Sequence, residues 1–249
     1  MRASASIVAE ADGRGGTRLA VLKGESPLLL RRTGPRDAGR MTVHLVSGGA
    51  GPLRGDELDL DIEVAAGAWL EIRSVAASLA LPGRAGLPAS RLTVTARVAA
   101  GATLRYQPEP LIAAAGCDHV AVTRVDVDEG GILLWRDDLV CGRHAEPSGD
   151  VVADTTIRYA GSTLYRHELA VGPRAPGWSG AAVLGGGRAV GTVVAAGPGV
   201  SASASVPAPD AAVMPLAGPG VLVTVVGADS RQVSAVLDPF CAGHLPGRR

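Results

Sequence analysis

Four carboxylates recur at every second position in the stretch GDELDLDIEV, residues 55–64: Glu57, Asp59, Asp61 and Glu63. Leu58, Leu60, Ile62 and Val64 stand between them. Such alternation predicts a strand with one buried aliphatic face and one acidic face. Same-face residues on a strand lie about 6.5 to 7 Å apart, so the acids form a ladder. Two further acidic clusters follow, Asp126, Asp128 and Glu129, then Asp137 and Asp138. Two chemistries are open to these groups. One is a solvated strand face neutralised by nearby arginines, which suits Asp59 and Glu63 best. The other is a hydrated path for a divalent cation. Oxygen ligands hold such ions loosely enough to release them, whereas a cage of Cys or His would retain them.

The other reactive residues form no catalytic pattern. Gly177-Trp178-Ser179-Gly180-Ala181 approaches a nucleophile elbow, but Ala181 stands where the last glycine belongs and no strong strand precedes it. The cluster GGGRAVG lacks the Lys-Ser/Thr of a phosphate loop and the spacing of a dinucleotide fingerprint, so it reads as a turn. His44, His119, His144, His167 and His244 are never paired at i, i+4, and each reads as a surface or satisfied residue. Cys117, Cys141 and Cys241 are odd in number and include no CxxC pair, against both a disulfide framework and a zinc site. An enzyme needs a nucleophile and base within reach of one another. The sequence offers no such pair.

The elements that hold these residues read as mainly β. EVAAGAWLEI (63–72), RVAAGATLRY (97–106) and DVDEGGILLW (126–135) share one pattern: a strand end, two turn-formers, a glycine and a second strand. Gly67, Gly101 and Gly130 fall in equivalent places, where a tight turn demands a positive φ. The units recur about every thirty residues, the spacing of stacked repeat architectures. With 34 Gly, 17 Pro and 3% aromatics, the core must be packed with Val, Leu, Ile and Ala. Helix signals are scarce. One covers residues 230–237, with Asp229 or Ser230 as N-cap and Pro239 as its end; a second lies around 179–184. No linker composition divides the chain, so residues 1–249 read as one domain.

Net charge is zero, with 24 basic and 24 acidic residues, which excludes the electrostatic footprint of a nucleic-acid or anionic-membrane binder. The N-terminus lacks the apolar run of a signal peptide. The uncharged stretch 189–209 is long enough for a bilayer, but its Gly, Pro and Ser content argues against a span. A soluble, reduced, cytoplasmic protein is expected. A protein- or carbohydrate-binding β module with no metal role is the alternative in a different class, although few aromatics are available to stack on sugars.

Four blocks in register resemble one known family. VHLVSGGAGPLRGDELDLDIEVAAGAWLEIRSVAAS (43–78) is similar to the N-terminal signature of the urease accessory protein UreD family, also called UreH. LRYQPEPLIAAAGCDHVAVTRVDVDEGG (104–131) resembles its proline-rich segment and following strand, and LLWRDDLVCGRHAEPSGD (133–150) its Gly-Arg motif. PLAGPGVLVTVVGADSRQV (215–233) resembles its closing strand and helix. Residues 73–80 depart from the usual Thr-Thr-Gln run, Glu109 stands for a common Gln, and Pro110 for a common acid.

The resemblance implies a β-helix-like stack of short strands with about two short helices, and a non-enzymatic scaffold for urease maturation. It implies partners in apo-urease and the accessory proteins UreF and UreG, the last a nickel-carrying GTPase. No cofactor would be permanently bound; Ni²⁺ would pass transiently through a water-filled tunnel. Asp56 and Asp61 are the tunnel-lining acids that the resemblance suggests, and Ser78 falls in its Ser/Thr segment. Glu109 and Asp138 join them on charge and position. Gly142 and Arg143 are expected to be structural or partner-facing. The apolar, uncharged second half implies a sticky surface and weak solubility when the chain is expressed alone.

Overall fold

The computed structural model describes residues 1–34 and 39–243, so His244 lies outside the described residues. In chain order the strands begin with β1 (Arg2–Ala11), β2 (Thr17–Gly24), β3 (Leu28–Thr33), β4 (Met41–Ser47), β5 (Glu57–Val64) and β6 (Trp69–Ser74). There follow β7 (Ser78–Ala80), β8 (Ser90–Val98), β9 (Thr103–Gln107), β10 (Leu111–Ala113), β11 (Asp118–Val127) and β12 (Ile132–Cys141). The last are β13 (Asp150–Tyr159), β14 (Ser162–Val171), β15 (Ala189–Ala196), β16 (Ser205–Ala208), β17 (Ala211–Pro215) and β18 (Gly220–Gly227), and helix α1 (Ser230–Gly243) closes the series. They form two sheets. The first runs β14-β13-β11-β8-β5-β1-β2, and the second β16-β17-β18-β15-β12-β9-β6-β4-β3 with β7 and β10 beside it.

The three repeated units are coils of a solenoid rather than hairpins. In each, the first strand lies in one sheet and the second in the other: β5 then β6, β8 then β9, β11 then β12. Neighbouring coils pair in parallel, β5 with β8 and β8 with β11, and β6 with β9 and β9 with β12. Gly67, Gly101 and Gly130 take φ of 75°, 70° and 84° at the third position of the connecting turn, as their spacing predicts. The N–H of Ala68 donates back to Ala65 across that turn, and Ala102 to Ala99 likewise. Successive turns are also bonded to one another, Thr103 N–H donating to Ala68 and Ile132 N–H to Ala102. Antiparallel strands flank the coils: β2 and β14 in the first sheet, and β3, β15 and β18 in the second. The fold is thus mainly β and solenoid-like, as the repeat implied.

Between the sheets, Ile62, Val64, Ala96, Val98, Val125, Val127 and Ile157 meet Leu70, Ile72, Leu104, Leu133 and Trp135 in one closed core. Each large aliphatic buried there contributes about 1.5–3 kcal/mol of transfer free energy. A second core lies outside the second sheet, where Val233, Leu237 and Cys241 of α1 cover Leu134, Val193, Val223 and Val225.

The helices differ from the sequence reading in two ways. Residues 179–184 form successive turns, because Gly177, Gly180 and the glycines at 185–187 surround too short a segment to sustain a helix. At the other site, Asp229 is the cap: its Oδ1 accepts from Gln232 N–H at 2.9 Å, while Gln232 Oε1 accepts from the N–H of Ala228, the residue before the cap. Pro239 does not end α1, which continues to Gly243. Buried Leu237 and Cys241 hold the last turns on the sheet, and Arg105 donates to the Cys241 carbonyl at 2.5 Å. The stretch 189–209 supplies β15 and β16, and among the described residues no helix is long and apolar enough to cross a membrane.

Candidate functional site: a cavity between the sheets

The inner faces of the strands change character along their length. Toward one end of the sandwich they are aliphatic and closed. Toward the other a polar row interrupts the aliphatic residues before a further cluster of Leu139, Val151, Val171 and Leu184, and the sheets border a cavity of about 500 Å³. Strand register explains the change. In the first sheet Thr123 pairs with Thr155, and Thr155 with His167, giving one polar row across β11, β13 and β14. In the second sheet Asp137 pairs with Thr192, and Thr192 with Thr224, a matching row across β12, β15 and β18. Both rows line the cavity. The next inward residues on the same strands, Val125, Ile157 and Trp135, belong to the closed core.

The cavity spans the width of the sandwich, from β4 and β5 on one side to β14 and β18 on the other. Exposed lining residues stand at both sides, Ser47, Val75 and Glu109 at one and His167 and Val183 at the other. A break in the second sheet helps to open the first of these ends. β12 pairs with β9 along its first half and with β10 along its second. Between β9 and β10 lie Pro108, Glu109 and Pro110. Neither proline has an N–H for the ladder, so pairing must lapse there. The same gap occurs between β6 and β7 at residues 75–77. It is bridged by Glu109 N–H donating to Ser74 Oγ (2.8 Å) and Ser78 N–H donating to the Pro110 carbonyl (3.0 Å).

Asp137 is the carboxylate on the inner row. Trp135 Nε1 donates to its Oδ2 at 2.8 Å, and Trp135 in turn stacks on Tyr106 with ring centroids 4.0 Å apart. Burial pushes its pKa up to about 6, the Trp135 hydrogen bond opposing and the Asp138 charge adding to the shift. Asp137 is therefore ionised near neutrality at an energetic cost, in a place where a cation would be welcome.

The sequence-predicted residues divide between this cavity and other settings. Ser78 and Glu109 line it, and Asp138 borders it while its carboxylate is held on the other face of β12. Asp138 points to the opposite face of β12 from Asp137, toward α1. Its Oδ2 accepts from Arg136 Nε (2.9 Å) and the same guanidinium's terminal nitrogen (2.6 Å), whose other branch reaches Asp238 of α1 at 2.6 Å. Its Oδ1 is buried without a hydrogen-bond partner. Burial raises its pKa, against the pull of Arg136. Gly191 makes room for this arrangement: a Cβ there would stand 2.6 Å from Asp138 Oδ1 and collide with Val233 and Leu237 of the helix. Gly191→Ala is expected to cost about 2–4 kcal/mol, as overpacking of a rigid site does, and to lower the unfolding midpoint in urea.

Asp56 and Asp61 are not among the cavity's lining residues. Asp56 is buried with both oxygens occupied, Oδ1 by the Met1 nitrogen and Oδ2 by Leu53 N–H, each at 2.9 Å. It fixes the turn before β5. Asp61 stands with Glu57, Asp59 and Glu63 on the exposed outer face of that sheet, because the aliphatic positions of β5 take the inside. That face meets arginines and hydroxyls: Arg2 pairs with Glu57 at 2.5 Å, and Asp61 registers between Ser6 and Thr95. The ladder of acids is a solvated face. Asp61→Ala is expected to change stability by no more than about 0.5 kcal/mol, measured by chemical denaturation.

Gly142 and Arg143 sit in the loop after β12. Gly142 has φ of 86°, and a side chain there would strike the Glu146 and Pro147 carbonyls. Arg143 pairs with Glu146 through two hydrogen bonds of 2.7 Å, holding that carboxyl well below its usual range. Both residues shape the loop that receives Arg188, whose guanidinium caps the Cys141 carbonyl at 2.7 Å. Among the described residues no three His, Cys, Asp or Glu side chains converge as a metal site.

Fold and cavity together define a solenoid-like β scaffold with an internal cavity crossed by two polar rows and no assembled metal cage among the described residues. The family model described as UreD urease accessory protein matches residues 1–244. The chain is 45% identical over 244 residues to "Urease accessory protein UreD 3" of Streptomyces griseus subsp. griseus, covering 96% of this chain and 95% of that protein. It is 44% identical over 243 residues to "Urease accessory protein UreD" of Streptomyces avermitilis, with 96% and 95% covered. To the protein of the same name from Frankia alni it is 39% identical over 282 residues, with 96% and 93% covered. The chain belongs to the urease accessory protein UreD family.

Proposed function

We propose that this chain is a urease maturation factor that binds apo-urease together with UreF and UreG and relays Ni²⁺ through its interior in the cytoplasm. The observation that carries the reading is the cavity crossing the sandwich, with exposed residues at both sides and Asp137 on its inner wall. The ion is cargo. It would travel hydrated along the Thr and Asp rows, with Asp137 supplying charge and the hydroxyls of Thr123, Thr155, Thr192 and Thr224 supplying neutral oxygen contacts. Isolated oxygen donors and retained water suit transit, since a full ligand set would trap the ion. Glu109 and Ser78 stand at the broken edge of the second sheet, where an ion would enter or leave. Asp138, held by Arg136, belongs to the support of β12 and α1.

Coexpression with urease subunits and the UreF and UreG proteins tests the partner assignment. A complex that copurifies through size-exclusion chromatography is expected. Absence of any complex with these partners would remove the reading.

A further inference from the structure

His119 is the cavity residue that the relay does not yet use. It lies on β11 in phase with Ala121 and Thr123, so it shares the inner face with the polar row, and it lines the cavity. Its residue surface is 1% exposed. Ser90, its cross-strand neighbour on β8, holds the ring: Ser90 Oγ lies 2.9 Å from Nδ1 and 3.2 Å from the Asp118 carbonyl oxygen. A hydroxyl has one hydrogen. When Ser90 gives it to the carbonyl, Nδ1 must donate to Oγ, and both groups are satisfied. The imidazole hydrogen then sits on Nδ1 and a lone pair on Nε2. Nε2 is buried and has no hydrogen-bond partner. Burial also pulls the ring's pKa down to about 4, so the lone pair is not lost to a proton near neutrality.

We infer that His119 Nε2 is a nitrogen donor for the ion passing through the cavity, and that it biases the passage toward first-row transition dications over Mg²⁺ and Ca²⁺. Imidazole nitrogen suits Ni²⁺ and its neighbours, while carboxylate and hydroxyl oxygens alone suit the hard cations equally well or better. A single nitrogen adds selectivity without closing a cage. Ser90 acts as a positioning residue, fixing the tautomer that leaves Nε2 free, as outer partners of metal-binding histidines do. The inference rests on the proposed relay and adds to it the residue that discriminates among ions.

The test follows the side-chain nitrogens of the full-length chain labelled with ¹⁵N-histidine, as NiCl₂ or MgCl₂ is added. Ni²⁺ is expected to broaden the His119 resonance at concentrations about tenfold below those that affect exposed His144, and Mg²⁺ to leave it unchanged. Ser90→Ala, which keeps the ring, is expected to weaken the Ni²⁺ response about tenfold. A His119 signal indifferent to Ni²⁺ where His144 is already broadened would overturn the inference, as would an equal response to Mg²⁺. Urease activation separates this failure from failure of the relay. If His119 is indifferent while Asp137→Asn abolishes activation, the relay stands without His119. If Asp137→Asn also activates normally, the relay falls.

Discussion

Asp137→Asn is expected to make the protein more stable and less able to activate urease. Burial places the Asp137 pKa near 6, above the usual carboxylate value. A folded-state pKa raised in this way means that the unfolded chain ionises first as pH rises. Stability contributed by this group is therefore full below about pH 4, falls between about pH 4 and 6, and stays low above that. The shift sets an upper bound of about 3 kcal/mol, and about 1–2 kcal/mol of gain at pH 7 is expected, since Asn keeps the Trp135 hydrogen bond. Urea denaturation at pH 7 and at pH 4 measures it: the variant's advantage should be present at the first and nearly absent at the second. Activation should move oppositely. Loss of the one charge on the inner row should slow nickel loading at least about tenfold, since ~1.4 kcal/mol suffices for that factor. A gain in stability joined to a loss of activity identifies a group retained for function.

Arg136→Met should be among the most damaging single changes to the fold. Arg136 holds Asp138 and Asp238 at once, with side-chain exposures of 11%, 4% and 64%. It also reaches Ser234 of α1 at 3.1 Å. Removing it leaves a carboxylate buried against α1 with one oxygen already unsatisfied. Breaking one side of a buried pair costs about 3–5 kcal/mol, whereas replacing both members with apolar groups is often nearly neutral. The unfolding midpoint should drop by roughly 6–15 °C, and Arg136→Met with Asp138→Leu should recover most of the loss. A drop in the double variant equal to the sum of the single effects would show that the pair is not coupled.

Much of the architecture was readable from residue order. Gly67, Gly101 and Gly130 marked the coil turns because only glycine adopts their φ without strain, and the β5 alternation marked its two faces correctly. What alternation does not say is which face encloses something. The acidic face looked chemical because it was regular, yet regular acids are affordable only in water, and Asp61 faces it. The functional signal was a departure from regularity. In β12, Leu133, Trp135, Asp137 and Leu139 are in phase, so Asp137 occupies a core position and Asp138 does not. Counting parity from Trp135 would have preferred Asp137. Thr123, Thr155, Thr192 and Thr224 were invisible singly, because a threonine in a strand is ordinary; their alignment exists only once strand order and register are known. His119 reads from the sequence as a surface or satisfied residue; the structure buries it with Nδ1 on Ser90, 29 residues away in sequence, and Nε2 without a partner.

The central claim is that nickel crosses the interior beside Asp137, and plugging the interior tests it most directly. Thr192→Trp places a large ring on the inner wall next to Asp137. The nickel content of urease purified from cells coexpressing this variant and the other maturation proteins is the measurement. The complex should still assemble, and urease nickel should fall to the level found when this chain is omitted. Urease loaded fully with nickel by an assembled complex whose cavity is filled would contradict the account.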